Sequence, residues 1–462
     1  MRRAPIVALV LLSCEAGTPP RPPSRSTKEI ESGGRLVART WTVGGHEVFR
    51  DFFDRATGEP CTFTGNVGPG PSYRCLPSSA ALHAEGQGPF FDDRCTFPAG
   101  IVRSDPSYYV VVERTNACTS ERAIYRAGPI ERRRVYVLDG ETCVPLSALP
   151  IDVQRLDREM PATAFVQARP VIEDRAGRIV RLDLVTDDGA RQPFEAFDTS
   201  RNEAVTVDFG NSTGAEGEEV QRFRPSRVAF VGGGASRFVD DACTVQAATK
   251  VGRDAACPIT AALVFEGVCG RHVVHAIGAP VAPKSLTDMR CAEDTSSRSL
   301  AFTVGAPIPA DAFAPAVRVE IERQGVKRRG WVGPDDARVV MWGDVLAPST
   351  NEPCTVVRAI DGRDRCLPAL TASPGAFADA ECTLPAIRVA STGCETEALL
   401  KYVRIAEPPP ATEERAYVIE SEIEGAFTLE NGRCRTAALA SNERVYAVSE
   451  VSADRFPIAR GE

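Results

Sequence analysis

The sequence predicts an all-β protein made of three tandem repeats, and three observations carry that prediction. First, a ten-residue phrase occurs three times, as residues 90–99 (FFDDRCTFPA), 238–247 (FVDDACTVQA) and 377–386 (FADAECTLPA). Each copy places a Phe five residues before a Cys, an Asp three before it and a Thr directly after it. Second, apolar and charged residues alternate at period two, as in residues 180–184 (VRLDL) and 317–322 (VRVEIE). That period belongs to strands with one wet face. Third, Gly and Pro punctuate the chain at short intervals, in residues 65–70, 210–217 and 408–410, as turns between short strands do.

The chain opens with Arg2 and Arg3, an apolar run over residues 6–12, then Ser13 and Cys14. A basic region followed by a short apolar one reads as an export signal over residues 1–13, too short to span a bilayer as a helix. The ending Leu11-Leu12-Ser13-Cys14 resembles a bacterial lipobox. By that resemblance Cys14 becomes the first mature residue and carries the lipid. Glu15 rather than Asp follows it, so nothing in the resemblance forces retention at the inner membrane. The expected address is the bacterial envelope, lipid-anchored at the outer membrane on its periplasmic or surface face. Residues 14–33 are rich in Pro and Ser and poor in apolar residues, the composition of a tether.

Loss of residues 1–13 removes Arg2 and Arg3, leaving 52 basic and 62 acidic residues, a net charge of −10. An acidic balance argues against nucleic acid as a partner. The remaining length exceeds one typical core.

Further landmarks place the repeats at residues 34–165, 166–313 and 314–462, each about 130–150 residues long. Gly34-Arg35-Leu36-Val37 answers Gly177-Arg178-Ile179-Val180, and Phe53-Asp54 answers Phe197-Asp198. Residues 59–62 (EPCT) and 74–77 (RCLP) return as 352–355 and 365–368. The copies close on PATAF, PADAF and SADRF, ending at Phe165, Phe313 and Phe456. Short β-branched or aromatic runs at 108–112, 135–138 and 417–419 are further strands. Only stretches such as 78–84 and 397–401 suit a helical turn. Each copy is expected to hold about eight strands, so three copies supply the six sheets of a six-bladed β-propeller. The alternative is three consecutive small domains, each stapled by its own disulfides. The joins between copies lack linker composition and favour the propeller.

Fourteen cysteines follow Cys14, an even number that reads as a disulfide framework in an exported chain. Cys61 and Cys75 correspond to Cys354 and Cys366, while the second copy has Val205 and Phe223 there. Both members vanish together, as bonded partners do, which predicts Cys61–Cys75 and Cys354–Cys366. The order of cysteines along each copy then suggests Cys95–Cys118, Cys243–Cys257 and Cys382–Cys394. Cys269, present only in copy two, is assigned to Cys291. Cys143 and Cys434 are left unassigned, either bonded to each other or free.

Candidate chemistry is sparse. His272 and His275 lie three apart on a strand, hence on opposite faces, and the other copies lack them. His46 and His83 complete the histidines and sit in no motif. Residues 210–214 (GNSTG) fit G-x-S-x-G but lack a following helix. Gly232-Gly233-Gly234 is not followed by the Lys or helix of a phosphate loop. Asp92, Asp240 and Asp379 recur too regularly for a catalytic site, and one carboxylate is too few for calcium. They are expected to cap turns. No metal, cofactor or catalytic residue is assigned.

The EPCT and RCLP pairs, with F-x-D-x-x-C-T-x-P-A, resemble uncharacterised myxobacterial-type secreted and lipid-anchored proteins with Cys-rich β repeats. That resemblance implies address and fold but no activity. The functional expectation is a binding or scaffold module at the envelope, engaging another envelope protein or a glycan. The competing expectation is an extracytoplasmic enzyme with a single site in a propeller channel or between repeats.

Overall fold

The computed structural model describes residues 30–461 except 66, 68–71, 79, 85–87, 102–107, 117–118, 140–141, 147–149, 173–176, 208–220, 232–236, 250–258, 267–270, 288–289, 294–300, 335–338, 348–350, 373–374, 391–400, 407–412, 431–432 and 440–442. Among the described residues the regular structure is strand, with single 3-10 turns at Ala162–Ala164, Ala310–Ala312 and Ala453–Arg455. The expected all-β class holds. The alternating stretches 180–184 and 317–322 lie within strands Ile179–Thr186 and Val317–Arg323. Residues 81–84, within the stretch credited with a helical turn, instead form a strand.

Each repeat begins with a four-stranded antiparallel meander. In the first it runs Leu36–Val43, His46–Asp54, Glu59–Gly65 and Tyr73–Pro77. Its counterparts start at Ile179–Thr186 in the second repeat and Val326–Val332 in the third. The rest of the repeat folds separately. In the first two repeats it closes as a five-stranded barrel, and in the third the corresponding strands lie in an eight-stranded sheet. One feature of each second half is a parallel pair: Ala81–Ala84 with Tyr109–Asn116, Val228–Val231 with Ala261–Glu266, and Thr371–Ala372 with Tyr402–Ala406.

The meanders join edge to edge. Gln167–Ile172, just after the first repeat, pairs with Tyr73–Pro77 on one side and Ile179–Thr186 on the other. At the next junction Phe223 donates its N–H to Ala314 O at 2.9 Å, and Ala316 to Gln221 O at 2.8 Å. At the third, Ala459–Gly461 pairs with Leu36–Val43, while Cys366 N–H donates to Pro457 O at 3.0 Å. The ten-stranded and five-stranded sheets are thereby joined at both ends, and the three repeats form a ring.

One guanidinium marks every junction. Arg74, Arg222 and Arg365 donate to the carbonyls of Phe165, Phe313 and Phe456 at 2.8, 2.9 and 2.6 Å. Those three phenylalanines, the last residues of the recurring closing phrase, are almost wholly buried. Burying such a side chain contributes roughly 1.5–3 kcal/mol.

Six separate four-stranded blades are not found among the described residues. The meanders share their edges through backbone hydrogen bonds, and the second halves curl on themselves, so the propeller expectation is corrected. Three independent domains also fail to describe the ring. One core joins Val43 of the first repeat to Val326, Leu367 and Phe456 of the third. Another joins Ile179, Ala196 and Phe223 of the second to Trp331 and Val340 of the third.

Candidate functional site

The disulfides come first, because they fix the geometry of each repeat. Cys61–Cys75 and Cys354–Cys366 are bonded as the paired loss in copy two predicts. Val205 and Phe223 take their places in a hydrophobic cluster with Trp331. The other expected pairings need correction. Cys95 bonds Cys143, Cys243 bonds Cys291 and Cys382 bonds Cys434. Neither Cys143 nor Cys434 is free, Cys291 is not available to Cys269, and Cys118, Cys257 and Cys394 are not the partners. Cys14, Cys118, Cys257, Cys269 and Cys394 themselves lie outside the described residues.

The physical reason is a hairpin that folds back. Tyr136–Asp139 pairs with Thr142–Pro145. Phe90 and Tyr136 exchange N–H···O bonds at 2.8 and 3.0 Å, which carries Cys143 to within 5.7 Å of Cys95, Cα to Cα. Cys95, Cys243 and Cys382 all hold a left-handed backbone, with φ of 54°, 51° and 54°. The Asp three residues earlier sustains that turn. Asp92 accepts from the N–H groups of Thr96 and Phe97 at 2.9 and 2.8 Å and from the Thr96 hydroxyl at 2.6 Å. Asp240 and Asp379 repeat the pattern with Thr244, Val245, Thr383 and Leu384. Some desolvation disfavours the Asp92 charge, yet the Thr96 hydroxyl and the two N–H groups hold its carboxyl down at about 2. The expected turn-capping role is what the geometry displays.

Three of the four histidines lie against backbone carbonyls, and the His272 side chain lies outside the described residues. His46 Nε2 lies 2.7 Å from Val326 O, His83 Nδ1 3.0 Å from Ala99 O, and His275 Nδ1 3.0 Å from Gly305 O. Among the described residues, no three His, Cys, Asp or Glu side chains converge at metal-ligand geometry. The 210–214 and 232–234 stretches lie outside the described residues.

The threefold plan exposes what is particular to one copy. In the first repeat Arg39 stands opposite Asp51, and two bonds of 2.5 and 2.6 Å join them. Arg50 is the extra residue of a β-bulge there, since Arg39 faces Asp51 and Thr40 faces Phe49. The second repeat keeps the bulge, with Leu182 opposite Glu195, Asp183 opposite Pro193, and Phe194 as the extra residue. The carboxylate therefore persists, but Leu182 has replaced its arginine. A cation enters from elsewhere: Arg227 precedes strand Val228–Val231, and its carbonyl accepts from Thr260 N–H at 2.9 Å. The corresponding residues of copies one and three are Ser79 and Leu370.

Between these side chains lies a cavity of about 430 Å³. Tyr73 of the first repeat lines it together with Ile172, Leu182, Glu195, Phe197 and Arg227. The Tyr73 ring is held edge-on to Phe194, centroids 5.0 Å apart. Burial pushes the Glu195 carboxyl above its ordinary value, opposed by the Arg227 charge. Burial also raises the Tyr73 phenol, with the Glu195 charge acting in the same direction. Among the described residues, neither the Glu195 carboxyl nor the Arg227 guanidinium makes a side-chain hydrogen bond or a close ion pair. Glu195 also lines a smaller cavity of about 180 Å³, where Phe49 of the first repeat and Arg328 and Trp342 of the third meet the second.

Sequence reasoning assigned no role to Tyr73, Glu195 or Arg227. The signal was available in the repeat comparison, as Arg39 against Leu182 and Ser79 against Arg227. No family model matches the chain, and no curated protein and no solved structure matches it either.

Proposed function

We propose that this chain is an exported binding module of the bacterial envelope, tethered through Cys14 and taking a small ligand in the cavity between its first two repeats. One observation carries the binding reading: the second repeat abandons the Arg–carboxylate pair of the first and leaves a cavity with two carboxyls, a guanidinium and a phenol at its wall. A structural role alone is served by the Arg39–Asp51 arrangement; the altered one gives up an ion pair for a space. Binding sites combine apolar walls with a few convergent polar groups in this manner.

The address rests on separate support. Five disulfides among the described residues suit an oxidising, extracytoplasmic compartment. No helix among the described residues is long and apolar enough to cross a membrane. An acylated Cys14 supplies the membrane attachment in this proposal, at the outer membrane, with an envelope protein or a glycan as the wider partner.

Two measurements test it. The Cys14→Ala protein should move from the membrane to the soluble fraction, and its retention with membranes overturns the anchor. Native mass spectrometry of the chain exposed to envelope extract should show a small-molecule adduct that Leu182→Arg removes. An adduct that survives Leu182→Arg, or none on the wild-type chain, overturns the cavity as the binding site.

A further inference from the structure

We infer that two copies of this chain associate through the outer edge of strand Val317–Arg323, paired antiparallel about a twofold axis at Val319. This goes beyond the small-ligand reading and is independent of it. The starting point is an open sheet edge. Val317–Arg323 is the end strand of the five-stranded sheet, and the strand beside it is Val326–Val332. On the other side, backbone bonding to the second repeat stops at Ala316, whose N–H donates to Gln221 O at 2.8 Å. Beyond Ala316 no described residue pairs with that side. Backbone groups alternate in direction along a strand, so those of Arg318, Glu320 and Glu322 point the same way as those of Ala316. They form an unpaired row of the kind that templates another strand. Six of the seven residues are exposed, including Val317 at 47 % and Ile321 at 36 %.

The matching strands at the other junctions do not offer this edge. Counted from the buried phenylalanines Phe165 and Phe313, Arg318 corresponds to Pro170 in strand Gln167–Ile172. Proline has no N–H to offer, and it blunts an edge where that group would face outward. At the third junction the matching strand, Ala459–Gly461, is three residues long.

The exposed strand, read VRVEIER, also complements itself. With Val319 opposite its own copy, Val317 meets Ile321 and Arg318 meets Glu320 on both sides of the axis. One face then carries the valines and isoleucines of both chains, and the other sets opposite charges across the seam. Backbone direction agrees with this register. Arg318 and Glu320 face outward and exchange both N–H···O bonds, while Val319 occupies the close pair between them that needs none. Within one chain Arg318 and Arg329 lie 3.8 and 3.5 Å from Glu320, and the Arg318 side chain stays 52 % exposed. A patch that meets its own copy closes as a dimer and does not propagate into a fibre. A seam one strand wide is small, so the dimer is a dissociating one.

The experiment is sedimentation velocity of the full disulfide-bonded chain between about 10 μM and about 1 mM, the range of small transient interfaces. The wild type should pass reversibly from monomer to dimer. Arg318→Pro, the change to what the second repeat carries there, should stay monomeric and melt as the wild type does. Arg318→Glu and Glu320→Arg should each weaken the dimer about tenfold or more, by setting like charges across the seam. An equimolar mixture of those two variants should recover wild-type association, because each then faces its opposite. A monomer throughout the range overturns the inference. So does a dimer that survives Arg318→Pro, or a mixture that associates no better than its components.

Discussion

The Nε2 atom of His46 lies 2.7 Å from the carbonyl oxygen of Val326, across 280 residues of chain, and joins the first repeat to the third. A carbonyl only accepts, so the bond requires the proton on Nε2. His46 is 4 % exposed, and it follows the two-residue turn Gly44-Gly45 that seats the first hairpin on the third repeat. The same seating recurs around the ring. The turn after Ile179–Thr186 meets Gly33 and Arg35 through Asp188, and Gly333, just after strand Val326–Val332, abuts Ile179.

The junction is expected to weaken in mild acid. Burial lowers the His46 pKa below its ordinary 6.5, with Arg323 and Arg328 acting the same way and the Val326 bond opposing them. The unfolded chain therefore binds the proton first as pH falls. Stability from this group is complete above the unfolded value and is lost as pH drops through it toward the folded value. Melting temperature between about pH 7.5 and about pH 5 should fall more steeply for the wild type than for His46→Gln. Superimposable profiles would sink the assignment.

Gly44 is expected to resist substitution for a reason that crosses the repeat boundary. Its φ is +52°, and a Cβ there would run into the Val326 side chain. Gly58, with φ of +74°, has nothing within 4 Å of that position. Gly58→Ala should lose only the backbone preference, about 1–2 kcal/mol. Gly44→Ala should lose a further 1–3 kcal/mol or so from overpacking. Equal denaturant midpoints for the two variants would show that the hairpin does not seat on the third repeat.

Asp54 offers a test of the threefold correspondence itself. It is fully buried and takes two bonds of 2.7 Å from Arg35, which also donates to Ala164 O. Asp198 and Arg178 repeat this arrangement, with Arg178 donating to Ala312 O at 2.7 Å. The third repeat has Gly325 and Ala347 at the matching places, both partners having gone together. Arg35→Gly alone should cost about 3 kcal/mol or more, since it strands a buried carboxylate. Adding Asp54→Ala should restore much of that loss. A double variant no more stable than the single one would contradict the correspondence.

Peptide mapping without reduction should join Cys95 to Cys143, and Cys143→Ala should release a reactive Cys95 thiol. The loop so closed spans 48 residues, worth about 4 kcal/mol in the chain-entropy treatment. Recovery of Cys95 bonded to Cys118 would refute the folded-back hairpin.

The disulfides show where sequence reasoning succeeds and where it stops. Comparison of copies identifies Cys61–Cys75 because the second copy lacks both members, so their dependence is written in the chain. Cys95 and Cys143 persist in every copy through their equivalents, and no absence betrays the bond. Neighbourhood along the chain was then the only guide, and it pointed to Cys118. Paired absence also marks Arg35 with Asp54, since Gly325 and Ala347 stand in their places in the third copy.

By itself the sequence determined the strands, the repeats and the aspartate-capped turn. Alternation, glycine turns and an Asp binding N–H groups four and five residues ahead are local, and neighbours in the chain are enough to specify them. Tertiary structure decided how the edges meet, which thiol Cys95 finds, and that Arg227 and Tyr73 face Glu195. Each of these depends on segments that touch only after the meanders have joined into a ring. Edge pairing is made by backbone groups that every residue shares, so no side-chain pattern announces which edge will be met.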